Sequence, residues 1–357
     1  MSSYSFPWNQ VNSLVQDFIV PNIRDQFFKS NAFYHRARNR VKKFSGGRAI
    51  VQPLVWKAEG NGGGWFSGAD VLDTTIRDPI QSAVWTAKNA YVPISIDWEE
   101  EKMVQGPTMV KNLVETKGEI ARHTALDLIG TDLFNDGTEA KRLTGLQYAL
   151  RDFTGGAPGV LPAQTYGTIA RQGRNDGSGG GTQTNNWWIH LGDNTAYDTV
   201  AAGNFDPLGA GKVHGVIGKM WAQIGIASGK QPSLMVSNWG TFTAYHNALS
   251  LNDRYMRPQQ NSELAKAGYR SLMYNNAAWV VDERAPRSSA KKEKLYFINE
   301  DTVRLYIHSD ADFAYEGFRK PHNQMARVAF ILFRGELCVI EPRANGVISD
   351  IDTSTVS

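Results

Sequence analysis

The sequence predicts an α+β fold in which strands and helices mix without strict alternation. Three observations carry this prediction. A basic arm opens the chain, a long two-stranded excursion with a glycine-rich aromatic tip follows, and a single long amphipathic helix comes third. A lone ribbon of that length is marginal in water, so its tip needs a surface to lie on, and that surface is expected to belong to another subunit.

The 357 residues suffice for one large domain or two to three small ones. The net charge of +3 is small, but its distribution is uneven. Up to Ile50, Arg24, Lys29, Arg36, Arg38, Arg40, Lys42, Lys43 and Arg48 stand against Asp17 and Asp25. Arms of this kind meet nucleic acid or acidic partners, or remain solvated. Cys338 is the single cysteine. It excludes an intrachain disulfide and a cysteine-based zinc site, and in the apolar run Val328–Ile340 it reads as a buried small hydrophobe of a reducing cytoplasm. No signal-peptide core is visible, and no apolar run approaches the roughly 20 residues of a membrane span.

Along the arm, Val11, Leu14, Val15, Phe18 and Ile19 fall at helical spacing until Pro21. In the excursion, Arg48–Lys57 and Asn89–Trp98 are expected to be its two strands. Ile50, Leu54 and Trp56 share one face of the first; Val92, Ile94, Ile96 and Trp98 share one face of the second. Pro53 and Pro93 place these strands at sheet edges or bulges. Between them lie the tip, Gly62-Gly63-Gly64-Trp65-Phe66, and an expected short helix at Asp78–Ala87. The long helix opens at Pro107, which suits a first helical position, and ends at Phe134-Asn135-Asp136-Gly137. Its apolar stripe is read as including Leu113, Ile120 and Leu128. Val213–Ile226 and Trp239–Leu249 read as further helices. Leu234–Val236, Trp279–Asp282, Leu295–Asn299, Phe313–Arg319, Ala326–Phe333 and Glu336–Ile340 read as strands. Asp152–Pro162 and Gly173–Asn186 are glycine-rich loops.

The residue patterns that could carry catalytic chemistry fit structural roles better. Gly209-Ala210-Gly211-Lys212 lacks both the first glycine and the Ser/Thr of a phosphate loop, because Asp206 and Val213 stand in those places. The seven histidines form no His-Glu-x-x-His pair, and there is no Gly-x-Ser-x-Gly elbow. Asp97, Glu99, Glu100 and Glu101 could serve a hydrolase or a carbohydrate site, but at a strand-to-helix junction they fit a solvated acidic cap better. Trp187-Trp188 could stack bases or sugars, and fits a core anchor better. No metal site and no cofactor are expected.

The order of parts resembles the major capsid proteins of tailed bacteriophages, with the fold named for phage Hong Kong 97. That family has an N-terminal arm, an extended E-loop, a peripheral domain built on a long spine helix, and an axial domain. The segment Asp132–Gly137 with Leu143-Thr144-Gly145-Leu146 resembles the spine exit, Tyr166–Arg171 followed by Trp187-Trp188 resembles a stretch of phage coat proteins, and Phe318–Arg343 resembles the terminal strands. The resemblance implies an arm at 1–45, an E-loop at 46–98, the peripheral domain and spine at 99–140, the axial domain at 141–311, return strands at 312–340 and a final axial segment at 341–357.

It also implies a non-enzymatic protein that assembles with itself, as pentamers and hexamers, into an icosahedral shell around double-stranded DNA. A scaffolding protein and a portal protein are implied partners, a decoration protein is an optional one, and no membrane is involved. The intersubunit tip is then Gly62, Gly63, Gly64, Trp65 and Phe66. The interior-facing basic arm is Arg36, Arg38, Arg40, Lys42 and Lys43, and the spine core is Leu113, Ile120 and Leu128. The loops at 152–159 and 173–181 are expected near symmetry axes. No lysine sits at the tip, so the family's lysine–asparagine cross-link is not carried over.

Overall fold

The structure, a computed structural model, describes residues 31–55, 65–72, 80–103, 107–151, 160–174, 186–193, 212–248, 271–286, 292–322 and 324–352. The expected helix at residues 11–19, Gly62–Gly64 and the loop at 152–159 lie outside them, as does most of the loop at 173–181. In chain order the elements are α1 (Ala32–Asn39), β1 (Lys42–Phe44), β2 (Ile50–Val55), β3 (Ile80–Trp85), β4 (Lys88–Asp97), α2 (Trp98–Met103), α3 (Pro107–Asp132), α4 (Leu146–Ala149), β5 (Val160–Tyr166) and β6 (Ile169–Arg174). A 3₁₀ turn at Asn186–Trp188 precedes β7 (Leu191–Asp193), α5 (Lys212–Ser228), β8 (Leu234–Ser237), α6 (Trp239–Ala248), β9 (Ser271–Tyr274), β10 (Ala277–Val281), β11 (Lys292–Ile298), β12 (Val303–Arg319) and β13 (Ala326–Val339). A second 3₁₀ turn, Pro342–Ala344, leads into β14 (Gly346–Asp352).

Two main sheets organise the chain. One has the order β1-β12-β13-β4, the other β7-β14-β11-β8-β10-β9. The alternation of β4 buries Val92, Ile94 and Ile96, and α3 lies over that face with Val114, Ala121 and Ala125. In the six-stranded sheet, β8 and β10 are apolar on both sides because both sides are covered. Met235, Trp279 and Phe297 meet α5 and α6, through Ile217, Met220, Ile224 and Phe242. Val236, Val280 and Tyr296 belong to a second core, shared with Phe33 and Tyr34 of α1 and with Leu133 and Phe134 at the end of α3.

Three expectations are corrected. The strand paired with β2 is β3, from Ile50↔Trp85 to Val55↔Ile80, while β4 pairs along its whole length with β13. The period of two shows which face a strand buries but not which strand it pairs with. Residues 80–85 are therefore a strand, not part of a helix; Ile80, Ala83 and Val84 satisfy i, i+3, i+4, yet Ala83 and Trp85 are the buried alternates. Trp98 leaves the buried face of β4: it starts α2 and is 47% exposed. Both prolines sit where a missing N–H costs least, Pro93 on edge strand β4 and Pro53 in the two-stranded β2–β3 ribbon.

Candidate assembly surfaces

The ribbon is rooted firmly and bare at its outer end. At the root, Trp85 packs on Tyr166 and Trp188, with ring centroids 5.8 and 6.3 Å away, and the Val84 amide donates to the Gly167 carbonyl at 2.9 Å. Gly167 (φ +57°) and Thr168 (φ +66°) form the tight β5–β6 turn that presents this carbonyl. Trp188 is 1% exposed and donates Nε1–H to the Tyr166 carbonyl at 2.9 Å, so the tryptophan pair is a core anchor. Val51 near the root and Val55 and Ile80 at the far end of the pairing are exposed, and Trp65 and Val71 are fully so, with Phe66 and Leu72 more than half exposed. Seven large apolar residues in one excursion exceed the scattered exposure normal for a soluble surface.

The basic arm is not an extended cationic strand. Residues 32–39 are helical, capped by Asn31, whose side chain accepts from the Tyr34 amide at 3.0 Å. Arg36 pairs with Glu300 at 2.8 Å, Arg38 pairs with Asp312 through both Nη atoms, and Arg40 pairs with Asp301. Lys43 lies 3.7 Å from Asp312, while Lys42 and Arg48 are exposed. Four of the five arm cations therefore meet acids of their own chain. The acids that matter, Glu300, Asp301 and Asp312, lie more than 250 positions away in sequence and carry no local signal that would have found them.

On α3, Leu113 and Leu128 pack half-buried against the sheet, whereas Ile120 is 58% exposed. At about 100° per residue Ile120 stands roughly a quarter-turn from Ala121. It falls in the solvent row Thr116-Ile120-Thr124, beside Glu119, His123 and Asp127. The expectation that Ile120 faces the core is thus corrected. The acidic cluster opens α2 as a cap, with Glu100 accepting from Lys117 at 3.0 Å and Glu101 from Arg327 at 3.3 Å. The Lys117 bond holds the exposed Glu100 carboxyl below its ordinary value. Among the described residues no group of three or more His, Cys, Asp or Glu is placed to hold a metal ion.

No family model matches the sequence, and no curated protein matches it. Solved structures do. The cyanophage A-1(L) capsid asymmetric unit superposes with a TM-score of 0.60 at 14% identity, covering 89% of this chain and 92% of that chain. The fold is Hong Kong 97-like. The capsid of a native GTA particle follows with a TM-score of 0.53 at 13% identity, over 88% of this chain and 89% of that one. The SrpI encapsulin complex of Synechococcus elongatus PCC 7942 gives 0.50 at 10% identity, over 89% and 87%. The likeness of fold thus extends over 89% of this chain in the cyanophage comparison. In this chain the long helix buries one face on β4 and β13 and leaves the row through Ile120 to solvent.

Proposed function

We propose that this chain is the major capsid subunit of a tailed bacteriophage. Its copies form pentamers and hexamers that close into an icosahedral shell around double-stranded DNA, assembled in the host cytoplasm. The observation that carries the reading is the end-to-end likeness to shell-forming chains, 89% of this chain against 92% of a cyanophage capsid subunit. The bare ribbon supports it. A monomer gains nothing from displaying Trp65 and Phe66, whereas a neighbour that covers them removes apolar area from water at about 25 cal/mol per Å². Head-to-tail contacts of this kind close into rings.

On this reading residues 1–45 are the arm, 46–98 the E-loop, 99–140 and 312–340 the peripheral domain, and 141–311 with 341–357 the axial domain. We take the E-loop hairpin proper to be β2–β3, which pair with each other, and count β4 with the peripheral sheet, because it pairs with β13. Scaffolding, portal and DNA partners follow from the reading. Among the described residues, Lys42 of the arm and Arg48 at the start of the E-loop are the exposed cations left for them, because Arg36 and Arg38 are engaged within the chain. Expression of the chain alone and with its genomic neighbours, followed by cryo-electron microscopy, tests the proposal. Capsomers or closed shells are expected, filled with DNA when packaging components are present. A stable monomer at high concentration would overturn the shell, and shells that never contain DNA would overturn the DNA.

A further inference from the structure

Glu336 stands at a discontinuity in the four-stranded sheet. β4 accompanies β13 from Ala326 to Gly335, where Lys88 is the last partner. β12 flanks the other side of β13 from Val328 to Val339, so from Glu336 onward it is the one remaining partner among the described strands, in the register Glu336↔Tyr306 and Leu337↔Leu305. At that same point the turn Leu143-Thr144-Gly145, which carries the chain from α3 to α4, comes in against β13. The Thr144 amide donates to Glu336 Oε1 at 2.7 Å. Lys88 donates Nζ to the Ala140 carbonyl at 2.7 Å, and the Leu146 amide donates to the Leu133 carbonyl at 2.8 Å. Gly145 is pressed so closely on the backbone of Asn135 and Asp132 that a Cβ there would collide. Two of the three routes between the two sheets, α3 to α4 and β13 to β14, pass this spot; the third is the β11–β12 connection at 299–302.

The carboxyl at the joint is only half provided for. Glu336 is 1% exposed, and its Oε2 has no hydrogen-bond partner among the described residues. A buried carboxylate with one unsatisfied oxygen is costly as an anion and tolerable as an acid. The ionisable groups facing it are Lys88 from β4, Cys338 from its own strand and Tyr166 from β5, with Tyr306 opposite on β12. Of these only Lys88 favours the anion, and its ammonium is already bonded to Ala140.

We propose that Glu336 is a proton-controlled latch on the joint between the two sheets: protonated, it holds the 143–146 turn against β13; ionised, it loosens that turn. Burial pushes the carboxyl from an ordinary 4.5 up to about 7, against the pull of its bonds to Thr144. A group whose value is raised in the closed form stabilises that form fully below 4.5 and progressively less as pH rises to 7, with no further change above. The latch belongs to the folded chain and does not depend on assembly into shells.

Amide exchange of Thr144 and Leu146, corrected for the intrinsic pH dependence of exchange, reads the latch directly. Protection should fall on the order of a hundredfold between pH 5 and 7.5. In Glu336→Gln, neutral at every pH and still an acceptor, it should stay at the wild-type acid value throughout. Flat protection in the wild type, or the same fall in the Gln variant, overturns the proposal. Should Glu336→Gln not fold, carbon-13 titration of the wild-type side-chain carboxyl decides the matter. A midpoint near 7 supports the latch, and one below 5 sinks it.

Discussion

Both Nη atoms of Arg38 grip both carboxylate oxygens of Asp312, at 2.7 and 2.5 Å, and each side chain is less than 10% exposed. The fork closes on a bulge of β12, where the pairing with β13 shifts on either side of Asp312 and Phe313 takes φ +54°. It fastens helix α1 to the four-stranded sheet, next to the parallel pairing of β1 with β12. Removing one partner leaves a buried charge, so Arg38→Ala should cost about 3–5 kcal/mol in urea unfolding of the purified chain. Arg38→Lys should recover only part of this, since an ammonium cannot fork. Arg40→Ala, on the surface, should cost at most about 1 kcal/mol.

The solvent row of α3 separates folding from surface chemistry. Ile120→Asp should change stability by no more than about 0.5 kcal/mol, as surface substitutions do. Ile129→Asp, nine residues on and 2% exposed, buries an unpaired charge and should cost several kcal/mol or abolish soluble expression. Thermal melts of the two variants check the pair. Equal damage from both would mean that the solvent row is covered in the free chain.

Much of this architecture was legible because burial leaves periodic marks. β8 shows as a short apolar run because both its faces are covered, and α5 shows through Ile217, Met220, Trp221 and Ile224. The asparagine and glycine after α3 mark its stop, with Gly137 at φ +76°. The misreadings share one cause. An apolar stripe that is nearly a face admits one residue too many, as at Ile120, and a run of six residues fits both periods, as at 80–85. The arm arginines needed three-dimensional information, because their acids come from a loop and a bulge near the far end of the chain. Glu336 left a weaker mark, a lone acid inside an apolar strand.

Two glycines should respond differently to the same substitution. Gly145 has ordinary extended φ (−78°) but no room for a Cβ, and the atoms it would meet are backbone. Gly145→Ala should therefore disrupt the joint severely, by more than about 3 kcal/mol or by loss of folding. Gly46 has open space around it but φ +82°. Gly46→Ala should cost about 1 kcal/mol, the strain of a left-handed backbone. Denaturation midpoints decide between these orders of magnitude.

His190 should make the chain acid-sensitive. Burial, with the nearby Arg171 guanidinium adding to it, pushes the imidazole from 6.5 down to about 3. Its value is depressed on folding, so its contribution is complete above 6.5 and is lost as pH falls from there toward 3. At pH 4 the loss is about 3 kcal/mol. Glu336 acts in the opposite sense, gaining as pH falls from 7 to 4.5, so the wild-type profile blends the two. The difference between His190→Gln and wild type isolates the histidine. The glutamine can still donate to the Arg151 carbonyl that His190 Nε2 reaches at 2.8 Å, and the variant should outlast the wild type increasingly below pH 6. Parallel profiles would show that the imidazole is protonated as readily in the folded chain as in the unfolded one.

The ribbon tip offers the cleanest division between folding and assembly. Trp65 and Phe66 are exposed, and the root that holds the ribbon, Ile50, Ala83 and Trp85, lies elsewhere in it. Trp65→Ala with Phe66→Ala should therefore leave the melting temperature of the unassembled chain unchanged. Each side chain, once covered by a neighbour, contributes about 1.5–3 kcal/mol, and a shell repeats that contact at every subunit. Even the lower figure weakens a single contact more than tenfold, so the double variant should give folded, soluble chains and few shells under conditions where the wild type assembles. Trp85→Ala should do the reverse, harming the fold itself because its ring fills the core against Tyr166 and Trp188. Light scattering against concentration, with melts of the same samples, separates the two effects. Unaltered assembly of the tip variant would show that the ribbon's apolar end is not what joins one subunit to the next.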